Sequence, residues 1–176
     1  GCRSPLLLTR TLARPGDQIA LLGSLGCSSG GLRMMLDELS FDEQTMAHLT
    51  EAHHRPSPKV KEGMLLSRHG VSAAMDVSDG LVDDLSKLCC ASSVSGQIFT
   101  DRLPIHESLR SQFPDDSIDL ALGGGEDYVL MFTGRPAKVS HLLSELPVGA
   151  AVVGEITKGE PGNVEVLDAN GREIRE

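Results

Sequence analysis

Nine consecutive residues, Ala73-Ala74-Met75-Asp76-Val77-Ser78-Asp79-Gly80-Leu81, constrain the fold of this chain more than any other stretch. Val71, Ala73, Met75 and Val77 alternate with Ser72, Ala74 and Asp76, the period of a strand. Leu81, Leu85, Leu88 and Cys89 follow at the spacing of one helix face. A strand must therefore break over two acids and a glycine into an amphipathic helix. Such a junction exposes a loop, and the helix N-terminus adds free N–H groups and a positive dipole end. Two carboxylates three residues apart, with a hydroxyl between them, can hold a divalent cation and a phosphate oxygen together. Asp and Ser are also ordinary helix caps, and Gly an ordinary turn residue. Spacing alone leaves a capped helix start and a metal site equally open.

The small residues of that strand require something packed closely on it, and only 3% of the chain is aromatic, so the core must be aliphatic. At 176 residues there is enough chain for one sizeable core. Helices and strands are intermixed, with a helix-rich stretch before the central strand. The expectation is an α/β (α+β) domain of layered helices on a mixed β-sheet. The net charge of −9 argues against a nucleic-acid or anionic-membrane surface and suits a site that gathers divalent cations. No apolar run approaches the roughly 18 residues of a membrane helix. Cys2, Cys27, Cys89 and Cys90 form no CxxC pair or His/Cys ligand spacing, so no zinc site is expected. They read as reduced thiols of a cytoplasmic protein, with Cys89 and Cys90 as packing and surface residues of one helix.

Along the chain, Leu6-Leu7-Leu8-Thr9-Arg10 leads to the Pro15-Gly16-Asp17 turn, and Ile19 to Leu22 reads as a buried strand. Arg10 by itself reads as surface solvation. Gly26-Cys27-Ser28-Ser29-Gly30-Gly31 reads as a flexible entry to a helix marked by Leu32, Met35, Leu36 and Leu39; it lacks the endings of the phosphate-binding loops. Asp42 caps a second helix reaching His53, and His48, His53 and His54 read as exposed helix-end histidines. Ser57 and Pro58 read as the cap and first residue of a third helix, with Val60, Met64 and Leu65 inward and Gly70 at its end. Asp83 and Asp84 read as a solvated helix face, with Asp83 on the same side as Asp79. Helices are expected over 106–113, 117–122 and 139–146, and strands over 96–100, 150–156 and 164–167, with a hairpin turn at Asn170-Gly171. Gly123-Gly124-Gly125-Glu126-Asp127-Tyr128 precedes a further strand that takes in Tyr128. Its glycines either let backbone approach a ligand, with two acids at the strand mouth, or form a plain turn.

Taken in order, Leu8-Thr9-Arg10, Arg55-Pro56-Ser57-Pro58, Met75-Asp76-Val77-Ser78-Asp79-Gly80-Leu81, Leu103-Pro104-Ile105 and Gly124-Gly125-Glu126-Asp127-Tyr128 resemble the thiamine-monophosphate kinase family. The likeness runs from about Leu6 to the end and corresponds to that family's C-terminal domain. It implies membership of the aminoimidazole ribonucleotide synthetase-like superfamily. Residues 1–176 would then be the single C-terminal domain of a two-domain kinase, lacking the N-terminal nucleotide- and metal-binding domain. The activity implied is ATP- and Mg²⁺-dependent phosphorylation of thiamine monophosphate to thiamine diphosphate. The full-length protein is implied to be a homodimer, and the isolated chain is expected to be inactive.

Carried over position by position, the resemblance makes Asp76 and Asp79 magnesium ligands, and Ser78 and Arg10 contacts to ATP. Glu126 becomes the acid that holds the thiamine substrate. The residue types suit these partners: carboxylates for hard Mg²⁺, the guanidinium fork for phosphate, and a carboxylate for a thiazolium cation. Phosphoryl transfer works through positioning and charge neutralisation, so no nucleophilic side chain is called for and none is evident. Where the family often has Gly-Asp after the first strand, this chain has Gly26-Cys27. The alternatives are a domain of a sibling ATP-dependent synthetase with another substrate, and a non-catalytic domain of the same fold.

Overall fold

A computed structural model of the protein describes residues 7–71, 73–146 and 149–174. Cys2, Leu6 and Ser72, which figured in the sequence reading, lie outside the described residues. The element order is β1 (Gln18–Leu22), α1 (Cys27–Leu36), α2 (Glu43–His54), α3 (Val60–Arg68), β2 (Ala73–Val77), α4 (Leu81–Ser92) and β3 (Ser95–Phe99). A 3₁₀ turn at Thr100–Arg102 follows. Then come α5 (Glu107–Gln112), α6 (Ser117–Gly123), β4 (Val129–Gly134), α7 (Pro136–Glu145), β5 (Ala150–Thr157) and β6 (Val164–Leu167).

The six strands form one sheet in the order β2-β4-β1-β5-β3-β6, antiparallel except for the parallel β3–β6 pair. The expected mixed sheet with layered helices is therefore observed. Alternation along the central strand decides the layers. Ile19 and Leu21 face a cluster built with Leu81, Leu85 and Leu88 of α4 and Ala121 of α6. Ala20 and Leu22 face the opposite cluster, with Leu66 of α3 and Val139 and Leu142 of α7. A third cluster joins Cys27 and Met34 of α1, Leu49 of α2 and Leu109 of α5, with Phe113 beside them. No helix among the described residues is long and apolar enough to cross a membrane.

Two helices turn a different face inward from the one their apolar spacing marks. α1 begins at Cys27, so Gly30 and Gly31 are helical rather than part of an entry loop. Its buried residues are Cys27, Ser28, Gly30, Gly31 and Met34, whereas Leu36 is 72% exposed. A Cβ on Gly31 would stand 2.3 Å from the Leu49 carbonyl oxygen, so α1 and α2 touch backbone to backbone. In α3, Val60 and Met64 are exposed, and Leu66 is the buried residue. Lys59 occupies its N-cap position without a side-chain cap bond, so Ser57 is not the cap. Asp42 does cap α2, accepting the Thr45 N–H at 3.0 Å. Of the histidines expected to be exposed, His54 is, but His48 is half-buried and stacks on His106 at 4.0 Å between ring centroids. Burial, then His106, holds its pKa below the usual histidine value.

Candidate functional site

The register of β2 on β4 pairs Val77 with Val129, which brings the loops at one end of the two strands together. The Tyr128 N–H donates to the Val77 carbonyl at 2.9 Å, and the Glu126 N–H donates to the Ser78 carbonyl at 2.8 Å. The two acid-bearing segments are thereby fused into one surface. Their glycines permit the contact. Gly80 has φ +122°, and a Cβ there would meet the Gly123 carbonyl oxygen at 2.9 Å; a Cβ on Gly125 would meet that of Ser78 at 2.7 Å. The glycine-rich run thus serves loop-on-loop packing.

Asp84 organises the first of these loops. Its carboxylate is buried within α4, and its Oδ2 accepts the N–H groups of Ser78 at 2.7 Å and Asp79 at 2.9 Å. Its Oδ1 accepts from Lys87 Nζ at 2.8 Å. Burial works to raise its pKa, but the Lys87 bond and the two backbone donors prevail and hold it below the usual carboxylate range. Asp84 is therefore not part of a solvated face. Its two backbone partners precede the helix cap at Gly80, so capping-box spacing did not mark it.

Asp79 and Asp83 are exposed, and their carboxylate oxygens lie within 4.8 Å of each other and of one from Asp84. The Lys87 ammonium sits among the three, 2.7 Å from Asp83, 2.8 Å from Asp84 and in contact with Asp79. These hydrogen bonds raise the Lys87 pKa well above its usual value. A cation is thus already held by all-oxygen donors, the chemistry that suits Mg²⁺. Asp76 is exposed at the end of β2. The Tyr128 phenol is held above its usual pKa by Glu126 first, through charge and a hydrogen bond, and then by burial, Asp76 and Asp79. Asp76, Asp79 and Glu126 therefore all lie near enough to the phenol to act on it.

Asp127 faces the other way. Its Oδ2 accepts the Gly26 N–H at 2.6 Å and its Oδ1 the Ser28 N–H at 3.0 Å, so it caps α1 from a distant part of the chain. Burial raises its pKa to about 6, against the pull of those two donors. The same burial, with Asp127 adding to it, pushes the Cys27 thiol up to about 12. No local pattern could have marked this cap, because donor and acceptor lie 101 residues apart.

Glu126 and Tyr128 flank Asp127 in left-handed conformations, with φ of 68° and 49°. Non-glycine residues rarely adopt that region, and such strain concentrates at functional sites. Tyr128 is accordingly not a strand residue, since β4 starts at Val129. It lines a groove of about 410 Å³ with Pro56, Pro58, Lys59, Val60, Asp76 and Leu130.

Arg10 stands apart from this set. Thr9 pairs with Ala73 at the start of β2, and the Arg10 carbonyl accepts the Ser92 hydroxyl at 2.7 Å at the far end of α4. The 12 residues of α4 span about 18 Å, so a helix length separates that anchor from the acidic loop. Asp76, Ser78, Asp79 and Glu126 are brought together; the backbone of Arg10 is not brought to them.

The family described as "AIR synthase related protein, C-terminal domain" matches residues 14–167. The thiamine-monophosphate kinase of Salmonella typhimurium is 40% identical over 128 residues, covering 72% of this chain and 39% of that protein. The crystal structure of thiamine-monophosphate kinase from Stenotrophomonas maltophilia superposes with a TM-score of 0.86 at 33% identity, covering 98% of this chain and 56% of the other. A second solved structure, AaThiL complexed with AMPPCP and TMP, gives a TM-score of 0.81 at 30% identity, covering 96% of this chain and 52% of the other. The chain spans about half the length of the relatives it matches. That family match takes in every strand and helix of the described residues, from β1 to β6, and makes this chain a member of the AIR synthase related C-terminal domain family.

Proposed function

We propose that this chain is the C-terminal half of a cytoplasmic kinase that transfers the γ-phosphoryl group of ATP to thiamine monophosphate, giving thiamine diphosphate and ADP. The observation that carries this reading is the fused loop pair, in which the Glu126 N–H meets the Ser78 carbonyl at 2.8 Å. It sets a candidate substrate acid beside candidate metal and phosphate ligands. The likeness to thiamine-monophosphate kinases, and to a relative solved with AMPPCP and TMP, supports it.

In this reading Asp76 and Asp79 hold Mg²⁺, which when bound neutralises charge on the transferring phosphoryl group. Ser78 donates its hydroxyl to a phosphate oxygen of ATP, and its own N–H remains held by Asp84, which fixes the loop. Glu126 attracts the cationic thiazolium, and the Tyr128 groove beside Asp76 offers an apolar wall for the ring. Arg10 meets the nucleotide from the far end of β2. The terminal phosphate oxygen of thiamine monophosphate attacks the γ-phosphorus, a new P–O bond forms, and the bond to ADP breaks. No side chain of this half needs to act as a nucleophile. The second half of the site, and the homodimer contact, belong to a preceding domain.

The test is ATP-dependent formation of thiamine diphosphate by the full-length protein, with Asp76→Asn and the 176-residue chain alone as comparisons. The full-length enzyme should turn over, Asp76→Asn should fall by orders of magnitude, and the chain alone should be inactive. Unchanged turnover in Asp76→Asn would remove the metal assignment. Preference for another phosphate acceptor in a substrate panel would move the chain to a sibling synthetase.

A further inference from the structure

We propose that His69, His141 and Glu145 form a binding site for a divalent transition metal of the Zn²⁺ type, separate from the acidic loop. His69 closes the end of α3, and His141 and Glu145 stand one turn apart on α7. Both imidazoles direct Nε2 at the same carboxylate: His69 Nε2 lies 3.4 Å from Glu145 Oε2, and His141 Nε2 lies 3.0 Å from Oε1. The rings meet edge to face with centroids 5.6 Å apart, and the three donor atoms lie within 4.8 Å of one another.

These separations match what the metal requires. Zn²⁺ binds nitrogen at about 2.0–2.1 Å in a tetrahedron, so neighbouring donors stand about 3.3 Å apart. One donor pair, His69 Nε2 and Glu145 Oε2 at 3.4 Å, already stands at about that length, and His141 Nε2 lies 3.0 Å from the other oxygen of the same carboxylate. Two imidazoles and a carboxylate form a donor set suited to zinc, with one position left for water. Magnesium, which prefers oxygen alone, would pass it by. The ligands are exposed enough for entry, with side-chain exposures of 28%, 62% and 40% for His69, His141 and Glu145. They are also held in place, because Lys138 Nζ donates to the Gly70 carbonyl at 2.9 Å and ties the end of α3 to α7.

Co²⁺ is the probe, because its visible absorption intensifies in a tetrahedral site. Untagged protein is titrated in excess Mg²⁺, which occupies the carboxylates of the acidic loop. We expect one equivalent of tetrahedral Co²⁺, displaced by Zn²⁺. His69→Ala and His141→Ala should each weaken binding by about tenfold or more, since even outer-shell partners of a metal site cost 10–100-fold. His141 is exposed and His69 half-buried, and circular dichroism checks that the variants remain folded. Absence of the tetrahedral band at millimolar Co²⁺ would overturn the proposal, as would equal binding by the His69→Ala/His141→Ala double variant.

Discussion

Asp127 Oδ2 accepts the N–H of Gly26 at 2.6 Å, a bond that spans 101 residues and joins the mouth of β4 to the start of α1. Gly26 has φ +81° and offers no side chain of its own, so the first turn of α1 depends on this distant carboxylate. Replacing Asp127 with Ala leaves the N–H groups of Gly26 and Ser28 without their acceptor. The expected loss is about 1–2 kcal/mol, the range of helix caps, read from denaturant unfolding.

The same residue gives a pH signature. Its folded pKa of about 6 lies above its ordinary value of 3.8, so the folded state holds the proton more tightly than the unfolded chain does. The stability this contributes is complete below about pH 4 and is lost as pH rises through 6. Asp127→Asn, which does not titrate, should flatten that part of the stability–pH curve. Parallel curves for the two proteins between pH 4 and 7 would contradict the assignment.

Asp84 shifts in the opposite direction. Its folded pKa is depressed, so its contribution is present above the ordinary carboxylate range and lost as pH falls through the folded value. Asp84→Ala strands the N–H groups of Ser78 and Asp79 and releases Lys87. A loss of about 1–3 kcal/mol is expected for leaving these backbone donors without their acceptor. Amide hydrogen exchange at Ser78 and Asp79 should accelerate even where the global fold survives.

Lys87 separates charge balance from metal binding. Lys87→Met leaves Asp79, Asp83 and Asp84 together without their cation. The variant should melt below the native protein in EDTA and recover more of its Tm when MgCl₂ is added. Equal Mg²⁺ responses in the two proteins would show that the ammonium and the metal do not share these oxygens.

Two helical glycines should respond with opposite signs. Gly31→Ala places a methyl 2.3 Å from the Leu49 carbonyl oxygen and should cost about 1–3 kcal/mol through overpacking. At Gly63 in α3 the nearest atom stands at 3.8 Å, so Gly63→Ala should stabilise by about 0.5–1 kcal/mol. Paired thermal melts test both.

These helices also show what was legible in the sequence. The strand-to-helix break at Asp76–Gly80, the Asp42 cap and the two-sided burial of β1 follow from period and residue type, and all are observed. The inward face of α1 was not legible, because Leu32, Leu36 and Leu39 carry the apolar signal while glycines make the contact. Backbone touching backbone leaves no hydrophobic period to read. The site divided in the same way. Asp76, Ser78, Asp79 and Glu126 stand out by motif, whereas Asp84 and Asp127 act through bonds to main-chain N–H groups that spacing does not encode.

The paired left-handed residues at 126 and 128 have a mechanical consequence. A regular strand sends successive side chains to two opposite sides. Here the twist sends three neighbours to three destinations: Glu126 to the acidic surface, Asp127 to the end of α1, and Tyr128 to the groove beside Asp76. The tripeptide is a junction with one arm in each of three neighbourhoods. A tilt of α1 should therefore be felt first at the middle arm, through the bonds of Gly26 and Ser28 to Asp127, and from there at the two outer arms.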